Sequence, residues 1–175
     1  MVSLFVILYS ALSFLALLLI YWRVGPDAAF QPFGFPNTDP VRATLVCMIF
    51  VALVHWVSLV AIQRWRTMRK CALQIRRILG DLTVAETMLI TSASGIGEEL
   101  FFRGWLLNEI GLIPSSLLFG VVHLPPNRDW IFWPFFAAVM GVALGALCLW
   151  TNTLLFAVLV HAAVNFVNIR KLHRD

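Results

Sequence analysis

Charge is what this chain has least of. Only 13% of its 175 residues are Asp, Glu, Lys or Arg, against 61% hydrophobic, too few charges to clothe a water-soluble domain in a polar shell. Cysteine is nearly as scarce. The three present are an odd number without metal-ligand spacing, Cys47 and Cys148 in apolar runs and Cys71 in a basic one, which argues against a disulfide framework or a zinc-thiolate site. They read as small packing residues. The opening run Val2–Trp22 lacks a basic n-region and a small-residue cleavage site, and its apolar stretch is too long for a signal peptide. A retained transmembrane helix is the expectation.

Long hydrophobic runs are what the chain has in abundance. Six segments stand out, Val2–Trp22, Val41–Ile62, Leu82–Leu107, Ile113–Leu124, Trp130–Trp150 and Asn152–Ile169, enriched by 7 Trp and 14 Phe. The fold class expected is all-α, a polytopic membrane helix bundle of about six segments, one of them short or broken at Pro125-Pro126. A single integral membrane domain, 1–175, accounts for the whole chain. Between the first two segments, Val24–Pro40 carries Gly25, Pro26, Pro32, Gly34, Pro36 and Pro40, which forbid a continuing helix. Gln63–Gly80 differs, setting six cations among Trp65, Met68, Leu73, Ile75, Ile78 and Leu79. It suits either an amphipathic helix on an anionic membrane surface or a solvated loop.

Those cations also orient the bundle. Six of the 13 Lys and Arg fall in Arg64–Arg77, and Arg170, Lys171 and Arg174 follow in the tail, so the positive-inside rule puts both stretches in the cytoplasm. Both termini are then cytoplasmic. The partners expected are the lipid bilayer and a membrane-associated protein or peptide, with no nucleic acid. Gly141-Val-Ala-Leu-Gly145 permits close helix contact, within the bundle or between copies in a homo-oligomer.

Against this apolar ground three strings are conspicuous: Glu98-Glu99-Leu-Phe-Phe-Arg103, Phe119-Gly-Val-Val-His123 and His161-Ala-Ala-Val-Asn165. A charged residue at a helix centre costs roughly 2.5–3.5 kcal/mol on insertion scales, so an intramembrane ionisable cluster is read as a functional site. Depth ties the strings together. Counting about 1.5 Å per residue from the connections at Asn108–Leu112 and Thr151–Asn152, Glu98 and His123 lie roughly 15 Å below one face and His161 roughly 14 Å. The fourth segment reaches only about 18 Å, too short to cross about 30 Å of hydrocarbon. Irregular backbone after it must be shielded or line a wet cavity, a route for water to the site.

Spacing divides the roles. Glu99 and Arg103, four apart, share a helix face and are expected to form an ion pair. Glu98 points about 100° away and is free to act as a general base in a low-dielectric pocket. His161 and Asn165 share a face, and their side chains suit either stabilisation of an oxyanion or an interhelical tie. Phe119 lies one turn before His123 and is expected to orient its ring. Gly95 and Gly97 serve close helix packing, and Glu86 reads as solvated. Ser92, Ser94 and Ser115 raise a serine route, but no nucleophile elbow or rhomboid-like Gly-x-Ser-x pattern accompanies them.

The three motifs, in this order on successive hydrophobic segments, resemble the CPBP family of intramembrane glutamic proteases. That family includes type II CAAX prenyl endopeptidases and bacterial relatives linked to bacteriocin processing and self-immunity. The resemblance covers roughly Glu86–Asn168, with a catalytic core at about 82–169. It implies that Glu98 activates a water with His123, that His161 and Asn165 stabilise the oxyanion, and that Glu99 and Arg103 support them. No cofactor or metal is implied. The family's bundle is usually larger, so the chain resembles a compact core reduced at its N-terminal side. Two other readings stay open: a non-catalytic immunity or scaffold protein of the same fold, and a zinc-dependent peptidase, although no His-Glu-x-x-His helix is present. Size and the lack of eukaryotic targeting signals point to a bacterial inner membrane.

Overall fold

The computed structural model describes residues 1–25, 34, 36–124 and 132–173, and among them every regular element is helical. Four helices are long and apolar enough to cross a membrane: α1 (Val2–Val24), α2 (Pro40–Arg64), α7 (Phe132–Thr151) and α8 (Leu155–Leu172). A fifth path is continuous but more polar. It begins as α4 (Val84–Glu99), loosens into a π-helical stretch (Leu100–Leu106) and closes as α5 (Leu107–Ile110), about 40 Å in all. The expected third segment thus exists but changes its winding directly after Glu98 and Glu99. Such π stretches occur frequently at functional sites.

Helix ends follow from local chemistry. α4 starts with a capping box in which the Thr83 hydroxyl accepts from the Glu86 amide, while Glu86 accepts from the Thr83 backbone N–H at 2.8 Å. Glu86 is therefore a capping residue and not merely solvated. Gly111, at φ 85°, makes the turn into α6 (Leu112–Val122), a conformation that disfavours any residue with a Cβ. α6 spans about 16 Å, about half the thickness of a bilayer's hydrocarbon core, as its short apolar run predicts. The break expected at Pro125-Pro126, and with it the water route, lies outside the described residues, as does most of the Val24–Pro40 connector.

Gln63–Gly80 folds mostly as α3 (Arg66–Leu79), which resolves the loop alternative in favour of a helix. Its buried side, Cys71, Ala72 and Leu79, lies opposite exposed Arg66, Arg69, Lys70 and Arg77. The end of α8 is fastened beside it: Arg170 donates to the Leu82 carbonyl at 3.0 Å, and the His173 ring meets the Gly80 carbonyl at 2.6 Å. Val2 and Phe5 of α1 pack on Leu79, Leu82 and Ile90 in the same region. The first turns of α1, the last turn of α8 and the basic helix therefore share one end of the bundle.

The main core joins Ala16 and Ile20 of α1 to Ala43, Cys47 and Val54 of α2, Leu144 of α7, and Ala157 and Val160 of α8. Where helices cross closely, glycine permits it. A Cβ on Gly95 would stand 3.2 Å from the Val158 carbonyl of α8, and one on Gly97 would stand 2.8 Å from the Tyr9 carbonyl of α1. Gly141 and Gly145 are taken up inside the bundle, facing Ser116 and Leu112 of α6. Away from the core, Nδ1 of His55 on α2 meets Asn168 on α8 at 2.8 Å, an interhelical polar tie.

Candidate active site

The three strings meet inside this frame. Glu98 and Glu99 come from the end of α4, Arg103 from the π stretch, Phe119 and His123 from α6, and His161 and Asn165 from α8. Glu98, Glu99, Arg103, Phe119 and His161 are buried, while His123 and Asn165 are half-buried.

Glu99 and Arg103 form the expected ion pair, Nη1 to Oε1 at 2.7 Å, with neither side chain open to solvent. The pair has further members. The same Glu99 oxygen faces His161 Nδ1 at 2.6 Å, and Arg103 Nη2 donates to the Gly141 carbonyl of α7 at 3.2 Å. One carboxylate thus holds both a guanidinium and an imidazole. The two sets that spacing had kept apart, ion pair and reacting group, are joined through His161.

Phe119 lies at the centre of the aromatic packing. The Arg103 guanidinium carbon stands 4.4 Å from its ring centroid, the His123 ring 4.6 Å and the Phe102 ring 4.8 Å. The His161 ring meets it edge-on at 6.1 Å. A cation over an aromatic face in a dry setting contributes about 2 kcal/mol, so Phe119 supports Arg103 as well as His123. Its carbonyl does further work, facing His123 Nδ1 at 2.6 Å.

These contacts settle the tautomers. A carbonyl and a carboxylate can only accept, so Nδ1 carries the proton on both histidines. In the neutral ring Nε2 is then an acceptor. His123 Nε2 lies 3.7 Å and His161 Nε2 3.9 Å from the same atom, Glu98 Oε2. Glu98 Oε2 itself is buried and has no hydrogen-bond partner among the described residues. While both rings are neutral, three acceptors thus face one another at separations too long for direct hydrogen bonds.

Asn165 stands one turn from His161, but one of its amide hydrogens goes to Ser94 Oγ at 3.3 Å, so the interhelical tie is present. A second N–H is left on the same group. The serines offer no nucleophile–base pair among the described residues. Ser94 donates to the Thr91 carbonyl and Ser115 to Gly111 and Leu112 within its own turn. One neighbour had no signal in the motifs: Tyr9 of α1, packed against Gly97, lies beside Glu98.

Fold and polar cluster together describe a polytopic helical membrane protein that encloses carboxylates and imidazoles within its bundle. The family described as type II CAAX prenyl endopeptidase Rce1-like matches residues 80–167, and the chain belongs to that family of CAAX-type intramembrane proteases. It is also similar to the "Uncharacterized protein YpbD" of Bacillus subtilis (strain 168), 26% identical over 92 residues, which are 53% of this chain and 48% of that protein. The match thus spans about half the length of that curated relative. No solved structure matches the chain. Every residue of the three strings falls within the family match, whereas Tyr9 and His55 lie outside it.

Proposed function

We propose that this protein is an intramembrane endopeptidase of glutamic type, working as one membrane domain on a membrane-anchored protein or peptide near its C-terminus or anchor. The observation that carries this reading is the convergence of Glu98 Oε2, His123 Nε2 and His161 Nε2 on one space. A water has two protons to donate, and two of those acceptors match it as general base and orienting partner. Glu98 takes one proton as the water oxygen attacks the peptide carbonyl carbon. The carbon–nitrogen bond then breaks, and the proton held by Glu98 passes to the leaving amine. No covalent enzyme intermediate is needed.

Charge developing on the carbonyl oxygen is met from α8. The free N–H of Asn165 is one donor. His161 becomes the second when its ring is doubly protonated, with Nδ1–H held on the Glu99 carboxylate and Nε2–H turned to the oxyanion. Glu99 and Arg103 thus support the oxyanion side, and Phe119 fixes His123. By its cation distribution the end carrying both termini and α3 faces the cytoplasm, and a bacterial inner membrane is the setting proposed. CAAX-like termini, bacteriocin leaders and sorting tags are the substrate classes that suit a cut near a membrane anchor.

The test is Glu98→Gln in the native host, compared with wild type by profiling of protein C-termini. An uncleaved membrane-associated precursor should accumulate in the variant. Unchanged C-termini would overturn the proteolytic reading and leave the immunity or scaffold alternative. Dialysis against a strong chelator should leave cleavage intact, and loss restored by zinc would replace the glutamic route with a metal one.

A further inference from the structure

The family match begins at residue 80, yet a side chain from the first helix reaches the candidate base. α1 and α4 cross where Gly97, the residue before Glu98, has no side chain, and a Cβ there would stand 2.8 Å from the Tyr9 carbonyl and 3.4 Å from the Tyr9 Cβ. This close approach brings the half-buried Tyr9 ring to the flank of Glu98. The ring is held on one further side, where Phe5 stacks on it with centroids 6.5 Å apart and planes 18° apart, while the Ser13 hydroxyl donates to the Tyr9 carbonyl one turn back within α1 at 2.8 Å and does not touch the ring. Tyr9 lies beside a carboxyl whose other polar neighbours, among the described residues, are the two histidines.

We propose that Tyr9 is a positioning residue for Glu98: its phenol donates a hydrogen bond to one carboxyl oxygen and so turns the other towards His123 and His161. A carboxylate on a long side chain has several rotamers, and a base misplaced by about 1 Å loses much of its effect, up to about a hundredfold. A phenol is the right donor for a dry helix crossing, because its ring packs against lipid-facing neighbours while only the hydroxyl needs a polar partner. In this way α1, outside the family match, completes the catalytic set from the opposite side of α4.

This inference rests on the protease reading, and the test separates the two. Full-length protein in micelles is assayed on a synthetic peptide spanning the junction found in the precursor that Glu98→Gln cells accumulate. Tyr9→Phe keeps the ring and removes the donor. It should lower kcat about tenfold with KM within about twofold of wild type and thermal unfolding unchanged, because the lost contact acts on the base and not on substrate binding. Ser13→Ala, at the same crossing, should leave kcat and KM unchanged. If Tyr9→Phe keeps full kcat, raises KM instead, or is matched by Ser13→Ala, the positioning role fails while the function stands. If Glu98→Gln accumulates no precursor or retains activity, the protease reading fails and this role with it.

Discussion

Glu99 Oε1 lies 2.6 Å from His161 Nδ1, and through this contact a residue that spacing marks only as the partner of Arg103 also sets the tautomer of a histidine 62 positions away. Breaking a buried pair by removing one partner costs about 3–5 kcal/mol, because the other charge is left uncompensated. Glu99→Gln should therefore lower the unfolding temperature in detergent as well as abolish cleavage. Glu98→Gln is the contrast. Its Oε2 has no hydrogen-bond partner to lose among the described residues, so it should abolish cleavage while unfolding within a degree or two of wild type. Parallel thermal melts and cleavage assays separate the two glutamates, and equal melts would refute the assignment of Glu99 as the structural one.

Gly97→Ala tests the α1–α4 crossing. Its new methyl would meet the Tyr9 carbonyl at 2.8 Å, backbone that cannot swing aside, so a loss of about 1–3 kcal/mol is expected. Gly145→Ala meets only the end of the Leu112 side chain, which can change rotamer. It should cost less. Melting both variants in the same micelles checks the order, and a reversed order would show that the two crossings were misread.

How much of this was legible in the residues depends on which force decides each feature. The Glu99–Arg103 pair follows from a helix repeat alone, and the half-length of α6 from counting apolar residues against hydrocarbon thickness. Depth counting brought Glu98, His123 and His161 to one level, and the three do converge. Which glutamate meets which histidine was not legible, since it depends on the rotation of α8 against α4 that Gly95 and Ala162 set. The π stretch has no local signature. Its winding belongs to the packing of Phe102 on Phe119 and of Gly104 between Ile20 and Leu154. Tyr9 escaped because an apolar helix carrying two tyrosines, Tyr9 and Tyr21, looks like any other lipid-facing span, and only the tertiary crossing at Gly97 singles Tyr9 out.

Cys71 supplies a pH-dependent probe outside the spanning helices. It is 4% exposed on the inner side of α3, and burial pushes its thiol up to about 11, above the ordinary range. Only the thiolate reacts, and at pH 8 the raised value leaves very little of it. With Cys47 and Cys148 replaced by Ser, maleimide labelling of the folded protein should be slow at pH 8, quicken as pH rises towards about 11, and become fast at pH 8 once the chain is unfolded. Fast labelling of the folded protein at pH 8 would mean that α3 does not bury this face.

His123 and Phe119 should differ in how they fail. His123→Ala removes the Nε2 acceptor that faces Glu98 at 3.7 Å, and loss of a general-base partner costs about 100- to 10,000-fold in kcat. Phe119→Leu keeps the backbone carbonyl that holds Nδ1 but takes away the ring against which His123 and Arg103 rest. The imidazole keeps its tautomer and loses its alignment, so kcat should fall only about tenfold, while lost core packing lowers the unfolding temperature by an amount corresponding to about 1–3 kcal/mol. Measuring kcat and thermal unfolding for both variants gives a two-way comparison: His123→Ala severe in rate and mild in stability, Phe119→Leu the reverse. If Phe119→Leu matches His123→Ala in rate, the ring does more than orient, and contact with the reacting carbonyl would have to be assigned to it.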